Sequence, residues 1–499
     1  MCRRKKLQLN TFIGLLSQVT TFICGFIIPK LILGYYGSDV NGLVSSITYF
    51  LSFISLAECG IGVVVQSSLY KPLADHNEEE ISRIIISSDR FFKKIGLILV
   101  IYVGILFAFY PLLVNGTYDF GYTSSLILVI SVSTFIEYYI CLTYRVLVTA
   151  DQRAYILLTL QIITQIIITI LSAFLVNIGA SIQIFKLSAS IILFMRPIIL
   201  SLYVKRHYKI NRKIEIAEEP IKQKWNGVAQ HVAYVVLTNT DTVVLTFFST
   251  LSNVSIYNVY FLVVNGIKMV ISSAISGIQS LLGNMYAKQE EDVLLNTFAM
   301  YEWMMHTGVT FLFTCTSILI VPFVKVYTWG IEDANYIVPL FGTLISFAQM
   351  AYCIRLPYNA MVFAAGHYKQ TQNSAIIEAI INIIISVACV FNFGLVGVAI
   401  GTLSAMIYRT VYLAIYLSNN IIHRPFKYFV KHVANDVCVV LISFVATRFF
   451  KMQDVSYVCW VILAIKVAII TGVISIICNC IMYPNLVVKI FRKWRLFGR

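Results

Sequence analysis

Runs of roughly twenty apolar residues recur from one end of this sequence to the other, and few charged side chains interrupt them. A helix of about 20 apolar residues crosses a hydrocarbon core about 30 Å thick, and only helices or closed barrels satisfy their backbone hydrogen bonds there. Of the 499 residues, 59% are hydrophobic and 12% are charged, whereas a soluble surface needs about 25% charge. The chain therefore reads as an all-α polytopic membrane protein with about fourteen transmembrane helices. The spans are expected at 11–33, 40–69, 95–114, 122–148, 155–176, 183–204, 226–249, 255–284, 298–325, 336–364, 372–391, 396–418, 432–449 and 457–482.

Charge placement orients these spans. The net charge of +15 would suggest nucleic acid in a soluble protein, but here the bases sit in alternate loops rather than on one basic surface, so no nucleic-acid partner is expected. Lys71, Arg83, Arg90, Lys93 and Lys94 fall on one side. Lys205, Arg206, Lys209, Arg212, Lys213, Lys222 and Lys224 join them, as do Arg424, Lys427, Lys431 and the tail bases Lys489, Arg492, Lys493, Arg495 and Arg499. The opposing loops 115–121, 177–182, 250–255 and 391–394 hold no lysine or arginine, with Lys451, and Lys325 at the outer end of a span, as the exceptions on that side. The positive-inside rule then places both termini in the cytoplasm. Arg3, Arg4, Lys5 and Lys6 precede an apolar run too long for a signal core, so that run is expected as the first span.

The polar stretch 205–225 divides the first twelve spans evenly. The expected organisation is a six-helix lobe (1–204), a cytoplasmic linker (205–225), a second six-helix lobe (226–418), and two further helices with a basic tail (419–499). Two lobes that rock about a central site are what alternating access requires. The segment 75–80 reads as a solvated helix face, and Pro29, Pro197, Pro322 and Pro357 are expected to interrupt spans one, six, nine and ten. The eleven cysteines are scattered singly, without metal-ligand or disulfide spacing. No phosphate-binding glycine loop is present, so no cofactor and no direct ATP drive is expected.

Polar side chains inside spans are costly and mark function or paired structure. Asn265, Lys268, Ser272, Ser276 and Gln279 share one face of the eighth span, which reads either as a cavity lining or as a helix–helix hydrogen-bond seam. Gln161, Gln165, Thr169 and Ser172 line up on the fifth span, Ser133, Glu137, Cys141 and Arg145 on the fourth, Asn226, Gln230, Tyr234 and Asp241 on the seventh, and Glu302, His306, Thr310 and Ser317 on the ninth. Basic candidates for a cationic cavity are Lys268, Arg409, Arg355, Arg196 and Lys30, with Lys186 near a span end. Arginine and lysine are natural partners of phosphate or carboxylate, so an anionic substrate is expected. Glu58, Glu137, Asp241 and Glu378 are the buried acids; the first three could couple a proton or sodium ion, or pair structurally, as Lys30–Asp241 and Glu137–Arg145.

Several stretches carry a resemblance: Ile28-Pro29-Lys30 with Gly34-Tyr35-Tyr36-Gly37, Leu56 to Gly62, Ser68 to Ala74, Thr240-Asp241, Ile256 to Tyr260, Gly283 to Tyr286, and Phe393 to Thr402. Over residues 10–420 the chain resembles bacterial polysaccharide flippases of the Wzx type, which handle O-antigen or capsule repeat units. These belong to the wider group of multidrug-and-toxin exporters and lipid II flippases. The resemblance implies a bacterial inner-membrane protein that moves an undecaprenyl-diphosphate-linked oligosaccharide to the outer leaflet, its head group in a cationic cavity and its tail in membrane lipid. It also implies a possible partnership with the polysaccharide polymerase machinery. The sequence lacks the compact arginine cluster that lipid II flippases carry in their first two spans.

Two other readings stand beside this one. An ion-coupled multidrug exporter shares the topology, but organic cations favour an acid-lined cavity. A polyprenyl-dependent glycosyltransferase or acyltransferase would carry an acidic pair, a histidine constellation or a long outer loop, whereas His231, His306 and His367 lie on separate segments.

Overall fold

The computed structural model describes residues 3–58, 61–114, 118–212, 214 and 228–484, and all regular structure among them is helical. The chain divides into two compact units, Met1–Ser255 and Ile256–Arg499. The first holds α1 (Arg3–Tyr36), α2 (Ser38–Ser52), α3 (Ser55–Glu58), α4 (Ile61–Ala74), α5 (Glu78–Leu113) and α6 (Phe120–Ile136). A π-helical turn, Glu137–Cys141, joins α6 to α7 (Leu142–Ala150), followed by α8 (Ala154–Asn177), α9 (Ile182–His207) and α10 (Val228–Phe248). The start of α11 (Leu251–Ala287) closes this unit. The second unit continues α11 and adds α12 (Glu291–Tyr327), α13 (Pro339–Ile354), α14 (Leu356–Ala364), α15 (Tyr368–Phe393), α16 (Leu395–Asn420), α17 (Lys427–Thr447) and α18 (Tyr457–Met482).

Among the described residues, thirteen helical segments are long and apolar enough to cross a membrane. The expected tenth span is the difference: it is two shorter helices, α13 and α14, meeting at Arg355. Pro357 sits in the first turn of α14, where its missing N–H costs nothing. Pro29, Pro197 and Pro322, by contrast, lie within α1, α9 and α12, which run on through them. The expected second span is also divided, into α2, α3 and α4. The acidic segment before the third span is structured: Asn77 caps α5 by accepting from the Glu80 N–H at 3.0 Å, and Glu78 to Glu80 occupy the first turn, where the helix dipole favours anions. Cys59, Gly60, Lys213, Lys222, Lys224, Asn226 and the tail bases lie outside the described residues.

In the first unit, α5 shows why lipid must be the solvent. Phe92, Ile95, Leu99, Val103, Leu106 and Tyr110 recur at helical spacing and are buried, packing against Leu43, Ile47 and Leu51 of α2. The opposite face of α5 is just as apolar, with Leu97, Ile101 and Phe109 more than 60% exposed. Water would not tolerate an apolar face of that length. Polar groups inside the unit find partners. The Tyr110 hydroxyl donates to Ser46 Oγ at 2.7 Å, Ser46 meets Thr246 of α10 at 2.7 Å, and Ser52 donates to Asn239 at 2.8 Å. This hydrogen-bonded seam joins α2 to α10. The start of α1 is fixed where Lys6 Nζ donates to the Asp151 carbonyl and carboxylate at 2.9 and 3.0 Å.

In the second unit, α15 and α16 form a tight hairpin. A Cβ on Gly397 would stand 2.4 Å from the Cys389 carbonyl oxygen, and one on Gly401 would stand 2.7 Å from the Ser386 nitrogen. The glycine repeat in the stretch 393–402 is therefore a close helix–helix approach, the usual membrane solution when no hydrophobic effect drives association. Across the unit, α12 packs against α13, α17 and α18. Trp303 Nε1 donates to Asn479 at 2.8 Å, and Trp460 Nε1 to the Leu319 carbonyl at 3.2 Å.

Candidate substrate-binding site

Three of the five basic residues singled out in the sequence converge in the second unit. The α13–α14 break leaves Arg355 at the joint of both helices. Its Nη1 bonds one oxygen of Glu378 on α15, and Arg409 Nη1 on α16 bonds the other oxygen at 3.0 Å. Arg355, Glu378 and Arg409 are all buried, Glu378 almost completely. Lys268 of α11 lies beside this clasp, its Nζ 3.9 Å from the centre of the Tyr352 ring, which also carries the Arg355 guanidinium at 4.5 Å. Cations favour such ring faces by about 0.5–2 kcal/mol, more when desolvated.

The charge of this cluster decides its chemistry. Lys268, Arg355 and Arg409 supply three positive charges and Glu378 one negative charge, leaving +2. Arg409 also keeps a buried Nε–H with no hydrogen-bond partner among the described residues. Buried charge without compensation is costly, so the arrangement favours an anion with two charges and several acceptor oxygens. The neighbouring face of α11 carries half-buried Asn265, Ser272 and Gln279, and Asn265 Nδ2 lies 3.9 Å from Met269 sulfur. The side chain of Ser276 is outside the described residues.

The first unit holds a separate cavity of about 450 Å³, walled by α6, the π-turn, α7, α8 and α9. Glu137, Arg145, Arg196 and Gln161 line it. The π-turn inserts an extra residue at Glu137, as such turns often do at functional positions, and Arg145 Nη1 pairs with Glu137 at 2.9 Å. Both partners are 54% exposed, so the pair contributes little to stability and can exchange for a ligand. Arg196 Nε donates to Thr164 Oγ1 at 2.6 Å, and Gln161 donates to Thr21 at 3.2 Å.

The remaining candidates do not line this cavity. Lys30 is half-buried on α1, Gln165 half-buried on α8, and Asp241 buried on α10. Glu58 is half-buried at the end of α3, its Oε1 3.0 Å from where a Gly62 Cβ would stand.

Sequence reasoning missed two things. One is that a single carboxylate, Glu378, holds both arginines; residues 355, 378 and 409 lie on different helices, and spacing along the chain carries no sign of the pairing. The other is a buried acid–histidine network around Glu302, His306 and Asp436. Arg424, read as an orienting loop charge, turns inward and places Nη2 2.7 Å from both Glu302 oxygens. Asp436 was detectable, since a lone carboxylate in an apolar run is a functional flag.

No protein-family model matches the sequence, and no curated protein matches it. Solved structures do share its fold. A lipid II flippase, MurJ, in an inward closed conformation matches at TM-score 0.69 and 17% identity, covering 96% of this chain and 99% of that one. An inward-facing multidrug resistance MATE transporter of the MOP superfamily matches at TM-score 0.57 and 14% identity, over 80% and 95% of the two chains. A Vibrio cholerae MATE transporter matches at TM-score 0.52 and 14% identity, over 85% and 98%. At these identities the likeness is one of fold: a polytopic helical membrane architecture shared with flippases and multidrug transporters.

Proposed function

We propose that this protein is a membrane transporter whose substrate is a polyprenyl-diphosphate-linked oligosaccharide, moved from the inner to the outer leaflet by alternating access for surface polysaccharide assembly. The observation that carries this reading is the cluster of Lys268, Arg355 and Arg409 around a single Glu378. A diphosphate entering hydrocarbon loses its hydration, at a cost of many kcal/mol unless charges and donors replace the water. A buried site with two positive charges in excess and a spare guanidinium N–H supplies that replacement, while the lipid tail stays in the bilayer. The fold likeness to a lipid II flippase across 96% of the chain supports the same substrate class.

A second reading, an ion-coupled multidrug exporter, is favoured by the fold likeness to MATE transporters. One experiment separates the two. The gene is deleted in its host, lipid-linked sugars are extracted, and their membrane sidedness is assayed. Accumulation of a diphosphate-linked repeat unit on the cytoplasmic face, with loss of surface polysaccharide, supports the flippase. Unchanged surface glycan with new sensitivity to cationic drugs supports the exporter.

A further inference from the structure

A second buried charge cluster sits in the second unit and shares one short element with the anion cluster, α14, at whose start Arg355 stands. Glu302 and His306 come from α12, Tyr358 from α14, His432 and Asp436 from α17, Arg424 from the α16–α17 connection, and Tyr483 from the end of α18. Glu302, His306, Tyr358, His432 and Asp436 are all buried. Phe429 closes the cluster with its ring against both His306 and Tyr358. Lys431 lies outside it, over the Tyr483 ring at 4.6 Å.

The hydrogen bonds fix where the protons are. Glu302 takes Arg424 Nη2 on both oxygens at 2.7 Å, so it is a carboxylate and can only accept. The Tyr358 hydroxyl, 2.7 Å from Glu302 Oε1, therefore spends its one proton there. His306 Nε2 is 2.9 Å from the same hydroxyl oxygen and must be the donor in that contact. His306 Nδ1 meanwhile lies 2.5 Å from Asp436 Oδ2. If His306 were neutral with its proton on Nε2, a bare nitrogen lone pair would face a carboxylate at that distance. One further proton is required between them, on the imidazole or on the carboxyl.

The neighbouring groups do not remove the need for it. His432 Nδ1 is 2.9 Å from the Tyr483 hydroxyl, and its Nε2 is 3.5 Å from Glu302. A neutral ring with its proton on Nε2 satisfies both. The two imidazoles stack at 4.8 Å with a 24° tilt, a geometry that disfavours charging both. The sum then closes: Glu302 and Asp436 contribute −2, Arg424 +1 and the shared proton +1. Without that proton a buried negative charge is left unbalanced, and Asp436 Oδ1 already has no partner among the described residues.

We infer that the His306–Asp436 pair is a one-proton binding site whose occupancy holds Tyr358, and with it α14, in place. Loss of the proton turns the His306–Asp436 contact repulsive, rotates the imidazole, and frees the Tyr358 hydroxyl from its present donor. This inference stands on the hydrogen-bond geometry and is independent of the substrate assigned above.

The test uses the purified full-length protein in detergent. Wild type and Asp436→Asn are titrated with base in parallel, and the wild type should release one more proton per chain. Its proton NMR spectrum should contain one strongly deshielded hydrogen-bonded resonance, absent in Asp436→Asn and in His306→Gln, and lost as that proton is released. Equal proton release by the two proteins overturns the inference. Should the variants fail to fold, the wild-type spectrum decides alone: a resonance of that kind supports the site, and its absence at low temperature and acid pH overturns it.

Discussion

Replacing Glu378 by glutamine should move stability and anion affinity in opposite directions. In the native cluster Glu378 neutralises one of three cations and hydrogen-bonds both Arg355 and Arg409. The glutamine keeps the shape but leaves two buried guanidinium groups without an anion. Breaking a buried ion pair by removing one partner costs about 3–5 kcal/mol, so the purified variant should unfold at a clearly lower temperature. Its charge excess, however, rises from +2 to +3. For one added unit of charge acting about 6 Å from a bound phosphate at an effective dielectric near 20, the gain is about 3 kcal/mol, roughly a hundredfold in affinity.

The assay is calorimetric titration with inorganic pyrophosphate, alongside thermal unfolding of the same preparations. Arg409→Gln supplies the opposite arm, because it lowers the excess to +1 while leaving the Arg355–Glu378 pair in place. Pyrophosphate should bind wild type detectably, Glu378→Gln more tightly, and Arg409→Gln more weakly. The reasoning fails if folded Glu378→Gln binds pyrophosphate no better than wild type, since the arginines would then serve packing alone.

Other residues give independent expectations. Lys268→Ala should impair translocation of the lipid-linked substrate at normal protein levels, and Lys268→Arg should largely restore it, because the Tyr352 ring at 3.9 Å accepts either cation; equal transport by all three removes Lys268 from the site. Gly401→Ala should destabilise by about 1–3 kcal/mol, since its Cβ meets backbone of α15 at 2.7 Å. Gly34→Ala, with nothing within 4 Å of the new Cβ, should fall within about 0.5 kcal/mol of wild type in the same thermal assay.

The architecture was legible because a membrane imposes a length on every span, and apolar length is written locally in the chain. The boundaries of α8 (Ala154–Asn177), α15 and α18 follow from such runs alone. The break at Arg355 was less legible: 336–364 is apolar enough throughout, and Pro357 gave the same signal as Pro322, which α12 absorbs. What distinguishes them is tertiary, since the cluster on α15 and α16 gives the Arg355 guanidinium a destination. Site residues were found individually, as charges in apolar runs, but not as sets. Sign alone groups Lys268, Arg355 and Arg409, and leaves Glu378 among the acids with no indication that it serves two of them. Asp436 and Arg424 do not stand out as site residues for the converse reason. Asp436 carries no assignment in the sequence reading and Arg424 falls among the loop charges; only folding brings Asp436 to His306 and Arg424 to Glu302.

The two charge clusters share one short element, and this carries a consequence for transport. Arg355 stands at the start of α14 and Tyr358 lies in its first turn, so the group that clasps Glu378 and the group that reads the His306–Asp436 proton are three residues apart on a single helix. A rigid turn of that length does not let one end move freely while the other stays. An anion that fixes Arg355 therefore favours the position of Tyr358 in which the proton is bound, and by linkage the proton favours the anion to the same degree. Relative to Asp436→Asn, in which only pyrophosphate's own ionisation remains, wild-type pyrophosphate affinity should fall as pH rises through the site's midpoint of proton loss. Binding near that midpoint should take up protons from solution, visible as a dependence of the calorimetric heat on the buffer's ionisation enthalpy. Asp436→Asn should retain only the part of each effect that pyrophosphate's own ionisation contributes, while leaving the charge of the anion cluster untouched. If wild type and Asp436→Asn instead show the same pH profile, α14 does not connect the two clusters, and any proton held at His306 serves the fold of the second unit alone.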